Sequence, residues 1–274
     1  MTLASCDSRK TAGENPFFTQ WDTPHGVPPF DKILPEHFMP AFERGMSLHE
    51  AEIDAITSNK DEATFENTIL AYDNAGQMLA QAELVFGMLC AAETNDRMQA
   101  LQEQAMPLLA AHRDKIRLDD KLFARVKEVY DRRAALGLDA EQMRLLQKTY
   151  DSFVRAGALL GPEQKARLKE INGQLSLTAV KFGNNILAEN NNFVLELKSD
   201  ELDGLPAGIR DAAREKARQM GKGDKWVFTL HKPSLIPLLT YSTRRDLREK
   251  IYKAYLNRCN NCLLYTSPSP RDPK

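Results

Sequence analysis

The sequence predicts a mainly α fold with a small β element near residues 192–230. Two observations carry that prediction. From Glu36 to Asn190 apolar residues recur at spacings of three and four, the period of a helix with one buried face. Beyond that stretch the pattern changes to two short apolar runs rich in β-branched and aromatic residues, bounded by Asn, Gly, Asp and Pro, the signature of strands. Composition agrees: 274 residues, 42% hydrophobic and 27% charged, can bury a substantial core.

The elements follow in order. Residues 1–13 carry no pattern and are expected to be disordered. Residues 14–35 hold Pro16, Pro24, Pro28, Pro29 and Pro35 among Phe17, Phe18, Trp21 and Phe30. Proline fixes φ and extends its predecessor, so this reads as an ordered arm packed by its aromatics. Residues 35–59 form the first predicted helix, with Pro40 inside the first turn, where its missing N–H costs little. Residues 64–94 read as one long second helix with Thr64 as N-cap. Residues 95–118 follow, with a kink expected at Pro107. Residues 119–137 begin with acids and end with Arg and Gly, in keeping with the helix dipole and C-cap rules.

Residues 139–161 place Met143, Leu146, Tyr150, Phe153 and Gly157 on one face. Residues 162–190 do the same with Leu168, Ile171, Leu175, Phe182 and Ile186. "NNFVLELKSD" and "DKWVFTLHKP" are the predicted strands, flanking a helix over residues 207–221 that Gly221 closes. "KPSLIPLLTYS" reads as a loop or short helical turn. The last helix, residues 243–258, buries Leu247, Ile251, Ala254 and Tyr255, with Thr243 and Asp246 resembling a capping box.

The charge balance, 37 Lys plus Arg against 38 Asp plus Glu, gives a net charge of -1 and no global pull toward nucleic acid or acidic membrane. No run of about 18 apolar residues marks a transmembrane helix. The charged helix faces read as ordinary solvated ones. Of the cysteines, Cys90 sits in an apolar helical context and reads as a small buried hydrophobe. Cys6 closes Leu3-Ala4-Ser5-Cys6, a lipobox-like sequence that makes Cys6 the candidate lipidation site, although only Met1 and Thr2 precede the box. A lipid anchor there implies the cell envelope or periplasm; without it the expectation is cytoplasmic.

Histidines stand at 25, 37, 49, 112 and 231, and none makes H-x-x-x-H. The nearest approach, His49-Glu50-Ala51-Glu52-Ile53, has Ile53 where zinc needs a second histidine, so His49 and Glu50 read as surface residues. Cys259 and Cys262 form a C-x-x-C at a helix C-terminus, the wrong end for a stabilised thiolate. No nucleophile elbow, P-loop or dinucleotide fingerprint occurs. The residues therefore offer no catalytic and no metal-binding candidate.

The wording of the sequence adds to this. "TPHGVPPFDKILPEHFMPAFERGM", "TFENTILAYDNAG", "LFARVKEVY", "FVRAGALL", "FGNNILAENNNFVLEL" and "KWVFTLHKPSLIPLLTYSTRRDLREKIYKAY" resemble, in order, the N-terminal part of the M3 family of zinc metallopeptidases. The long Pro/aromatic arm is more similar to the bacterial peptidyl-dipeptidase branch than to the oligopeptidase A branch. The resemblance implies an all-helical body around a deep channel, short peptides as substrates and release of C-terminal dipeptides. It also implies a zinc ion held by H-E-x-x-H and a downstream Glu. Those residues have no counterpart in this sequence. The expectation is thus the N-terminal part of a longer zinc peptidase, inactive alone and binding no zinc itself. The alternative is a stand-alone helical module that binds peptides without cleaving them.

The layout that follows is an arm over 14–35, a helical domain over 36–190 and a small sheet with helices over 191–261. The resemblance stops near Asn261. "CLLYTSPSPRD", Cys262 to Asp272, reads residue by residue as the translation of a transposase adapter used in DNA libraries. Residues 262–274 are therefore expected to be an adapter-derived tail, and Cys262 no cysteine of the natural protein.

Overall fold

The computed structural model describes residues 15–258 and 260. The chain forms two compact units, residues 1–177 and 178–274. Mainly helical architecture with one two-stranded sheet is what the periodicity predicts.

The first unit is built around α1, Phe38–Ser58. A short π-helix, Phe65–Leu70, runs on into α2, Ala71–Asp73. Then come α3, Gln77–Ala92; α4, Asp96–Arg117; α5, Asp120–Asp131; α6, Ala140–Ala156; and the start of α7, Pro162–Asn192, whose residues from 178 onward belong to the second unit. Three α-helix starts are capped by side chains. Asn95, Asp119 and Asp139 accept the N–H groups of Met98, Leu122 and Gln142, which would otherwise be orphaned at the first turn. Thr64 caps the π-helix in the same way, with Asn67 returning the bond.

The predicted second helix is broken. Asn74, Ala75 and Gly76 form a turn, with Gly76 at φ 74°, a left-handed conformation that costs glycine little. The Gly76 N–H then donates to Glu52 Oε2 at 2.7 Å, an acceptor supplied by α1. Residues 65–92 pass a test of length and composition for a membrane span, with mean hydropathy 1.2. The turn leaves α3 with 16 residues, about 24 Å, short of a roughly 30 Å hydrocarbon layer. Its Leu79, Ala82, Val85 and Phe86 are buried against α1 and α4. We therefore read the segment as core.

Two hydrophobic clusters meet along α1. The N-terminal half of α1 contributes Phe38, Ala41 and Phe42, packed with Phe17 and Ile33 of the arm, with α3, and with Met98, Ala105 and Leu109 of α4. The ring pairs Phe17–Phe38, Phe38–Phe86 and Phe42–Phe86 lie 5.0–5.4 Å apart, within range of favourable tilted and edge contacts. The arm is fixed by Asn15 Nδ2 donating to His37 O at 2.8 Å and Trp21 Nε1 to Pro16 O at 2.8 Å. α1 and α3 approach so closely that a Cβ on Gly45 would lie 2.9 Å from Leu79 Cα. The C-terminal half of α1 contributes Ile53 and Ile56 to a second cluster with Phe65, Ile69, Leu122, Val126, Leu146 and Phe153. α4 runs uninterrupted through Pro107.

The helical face of α7 differs from expectation. Ile171 and Leu175 are exposed, Leu175 to 59%.

The second unit holds strands β1, Leu195–Leu197, and β2, Trp226–Phe228, antiparallel with Glu196 opposite Val227. Helices α8, Ala207–Gln219; α9, Lys232–Tyr241; and α10, Arg245–Leu256, complete it. Leu195, Leu197, Phe228, Leu235, Leu238, Leu247 and Ile251 form its core. "KPSLIPLLTY", read as a loop or turn, is a full helix: Pro233 sits in its first turn and Leu235 and Leu238 pull it onto the sheet. The expected capping box at α10 is absent. Thr243 Oγ1 donates to Asp203 Oδ2 at 2.6 Å, and Asp246 pairs with Arg244 at 2.8 Å.

Candidate functional site

A convergence of ionisable side chains lies where α1, α3 and α4 meet. His112 descends from the apolar face of α4, in step with Ala105, Leu109 and Ile116, and its side chain is only 3% exposed. Its Nε2 stands 3.0 Å from His49 Nδ1. Its Nδ1 lies 3.4 Å from Glu50 Oε1, within ion-pair reach but without hydrogen-bond geometry. Lys115 closes on the other Glu50 oxygen at 2.7 Å. Gly76 packs against the His49 ring, where a Cβ would come within 2.9 Å of Nδ1.

His49 and Glu50 are thus not open surface residues, as their sequence context suggested. Both are half-buried, because the close helix packing folds them onto His112. Burial lowers the pKa of both histidines, and a charge on His112 lowers that of His49 further. Lys115 holds the Glu50 carboxyl below its ordinary range. The neighbouring carboxylate favours a proton on His112 Nδ1, which makes Nε2 the acceptor for His49 Nδ1–H.

Much of this arrangement is engaged internally, although the buried His112 Nδ1 has no hydrogen-bond partner. Glu52 is taken by the Gly76 N–H, Glu50 by Lys115, and the two imidazoles face each other. A zinc site needs three or four ligands around one point. No group of three or more His, Cys, Asp or Glu suited to a metal ion occurs among the described residues. The residues present do not fit the zinc ion that the M3 resemblance implies. Ile53, in the position of the missing histidine, is 4% exposed and belongs to the core.

The remaining sequence candidates are dispersed. Cys90 is half-buried beside the aromatic cluster, and burial pushes its thiol pKa up. His37 Nδ1 accepts the Leu34 N–H at 3.1 Å, and His25 adopts φ 59° in the turn at Pro24–Gly26. His231 lies beside a cavity of about 350 Å³ between α8, β2 and α9, with Nδ1 3.3 Å from Thr229 Oγ1. Cys6, Cys259 and Cys262 lie outside the described residues, as does the tail over 262–274.

Sequence reasoning missed the role of His112 and its pairing with His49. A signal was available: His112 continues the buried spacing of 105, 109 and 116.

Comparison with known proteins sets this helical body in context. No family model matches the chain. It is 38% identical over 241 residues to a dipeptidyl carboxypeptidase of Escherichia coli, covering 88% of this chain and 35% of that protein. The chain is a homologue of the dipeptidyl carboxypeptidases. A dipeptidyl carboxypeptidase of Salmonella typhimurium is 36% identical with the same coverage. Oligopeptidase A of Escherichia coli is 25% identical over 240 residues, 87% of this chain and 35% of that protein. The M3 resemblance read from the sequence is borne out over this length. The chain spans about a third of the length of these curated relatives.

Proposed function

We propose that this chain is the N-terminal helical part of a zinc peptidase of the peptidyl-dipeptidase type, and that it does not cleave peptides by itself. One observation carries the reading: identity to dipeptidyl carboxypeptidases extends across 88% of the chain, while the sequence contains no H-E-x-x-H. In such a peptidase two histidines four apart on a helix and a further acid hold zinc, and the motif Glu activates water. This chain would supply scaffold and wall to that centre, not ligands. Its substrates in the whole protein would be short peptides.

The geometry of the first unit supports a scaffold role. Its ionisable groups at the helix junction link α1 to α4 and hold the turn that opens α3. Extending the genomic reading frame past the codon for Asn261 tests the proposal. The expected result is an in-frame continuation into H-E-x-x-H; an authentic stop codon at that point would overturn it.

A further inference from the structure

Several basic side chains on the first unit pair with an acid. Arg97 pairs with Glu36, Arg113 with Glu83, Lys115 with Glu50, Arg132 with Glu62 and Lys165 with Asp120. One face of α6 gathers basic residues outside any such pair. Arg144, Lys148 and Arg155 recur at the helical spacing, so they project from a single stripe. With Arg117 at the end of α4 they line an open cavity of about 500 Å³.

Asp151 is the sole carboxylate in that lining, and it is engaged by Gln147 Nε2 at 2.9 Å. None of the four cations makes an ion pair with another described residue. Four cations less one carboxylate leave a surplus of three positive charges in one concavity. In water these exposed like charges repel only weakly, and an anion seated among them would meet attraction from each.

The geometry points to a binding site for a small oligophosphate, a ligand of the di- or triphosphate class. Three of the four cations are arginines, whose planar forks grip phosphoryl oxygens in pairs. Arg144 and Arg155 are separated by about 16 Å of helix axis, a distance that two arginine side chains can shorten to the length of a triphosphate by leaning inward. A single carboxylate would leave most of the surplus unmatched, whereas three or four phosphoryl charges match it. The concavity and the net charge of -1 on the whole chain favour a compact ligand over a nucleic acid, which would also meet the acidic remainder of the surface.

Calorimetric titration of the full 274-residue chain with sodium tripolyphosphate, at ionic strength held constant with potassium chloride, tests this. The expected result is saturable binding of one ligand per chain. The double variant Arg144→Gln/Arg155→Gln should bind at least about tenfold more weakly. Both positions are exposed, so its thermal unfolding without ligand should match the parent. Arg210→Gln, an exposed cation on α8, should bind as the parent does. No saturable heat, or equal affinity in the double variant and the parent, would overturn the inference. So would a short single-stranded DNA of the same charge binding more tightly than tripolyphosphate.

Discussion

Two charged regions of the first unit are built on opposite principles. At the junction of α1, α3 and α4, His49 faces His112, Lys115 pairs with Glu50, and Glu52 accepts the Gly76 N–H. Along α6, Arg144, Lys148 and Arg155 satisfy nothing among the described residues. The first region is half-buried and clamps helices; the second is exposed and lines a cavity. Burial explains the difference. A buried polar group must be partnered or it costs stability, so closure marks a structural role. An exposed cation is kept solvated by water and can wait for a ligand. The histidine cluster should therefore respond to mutation in stability, and the arginine face in binding.

The largest expected effect is at His112. His112→Ala removes a buried ring and leaves His49 and Glu50 facing a void; chemical denaturation should show a loss of about 2–4 kcal/mol. An unchanged midpoint would place the cluster among ordinary surface contacts. Next is Gly76→Ala, which forces a side chain into a left-handed turn and against the His49 ring. A cost of about 1–2 kcal/mol in the same experiment is expected. Thr64→Ala, which removes the cap of the π-helix, should cost about 1 kcal/mol.

The response to pH separates the two regions further. Both histidines have folded-state pKa values below 6.5, the ordinary value. The unfolded chain therefore takes up protons first, and stability falls as pH drops below about 6.5. It is fully present above that window. Glu50, held low by Lys115, adds its own loss at more acidic pH, below the ordinary carboxylate range. Unfolding midpoints between pH 8 and 5 should show the decline in the parent and a shallower one in a His49→Gln/His112→Gln variant. The smallest effect belongs to Arg144→Gln, which should leave stability within about half a kcal/mol.

Much of the fold was legible because its signals are local. Asn95, Asp119 and Asp139 announce helix starts, and each caps one. Leu146 and Phe153 announce the buried face of α6. The misreadings arise where a distant group decides. Nothing near Gly76 tells that Glu52, 24 residues earlier, will cap it and let the second helix break. Thr243 has an acid at the right spacing, yet Asp203, 40 residues away, takes its hydroxyl. Leu175 fits an apolar helical stripe that remains exposed. The candidate site suffered in the same way. His49 looked solitary because its partner, His112, is 63 residues off in sequence. The basic stripe of α6 was visible in the spacing, but only the fold shows that it lines a cavity without matching acids.

The proposal for this homologue of the dipeptidyl carboxypeptidases is a scaffold role without a hydrolytic centre of its own. It is tested most directly by incubating the purified chain with a fluorogenic peptide, with zinc added and then with a chelator. The account predicts no turnover above the protein-free rate in either condition. Peptide cleavage that requires zinc and stops with the chelator would contradict it.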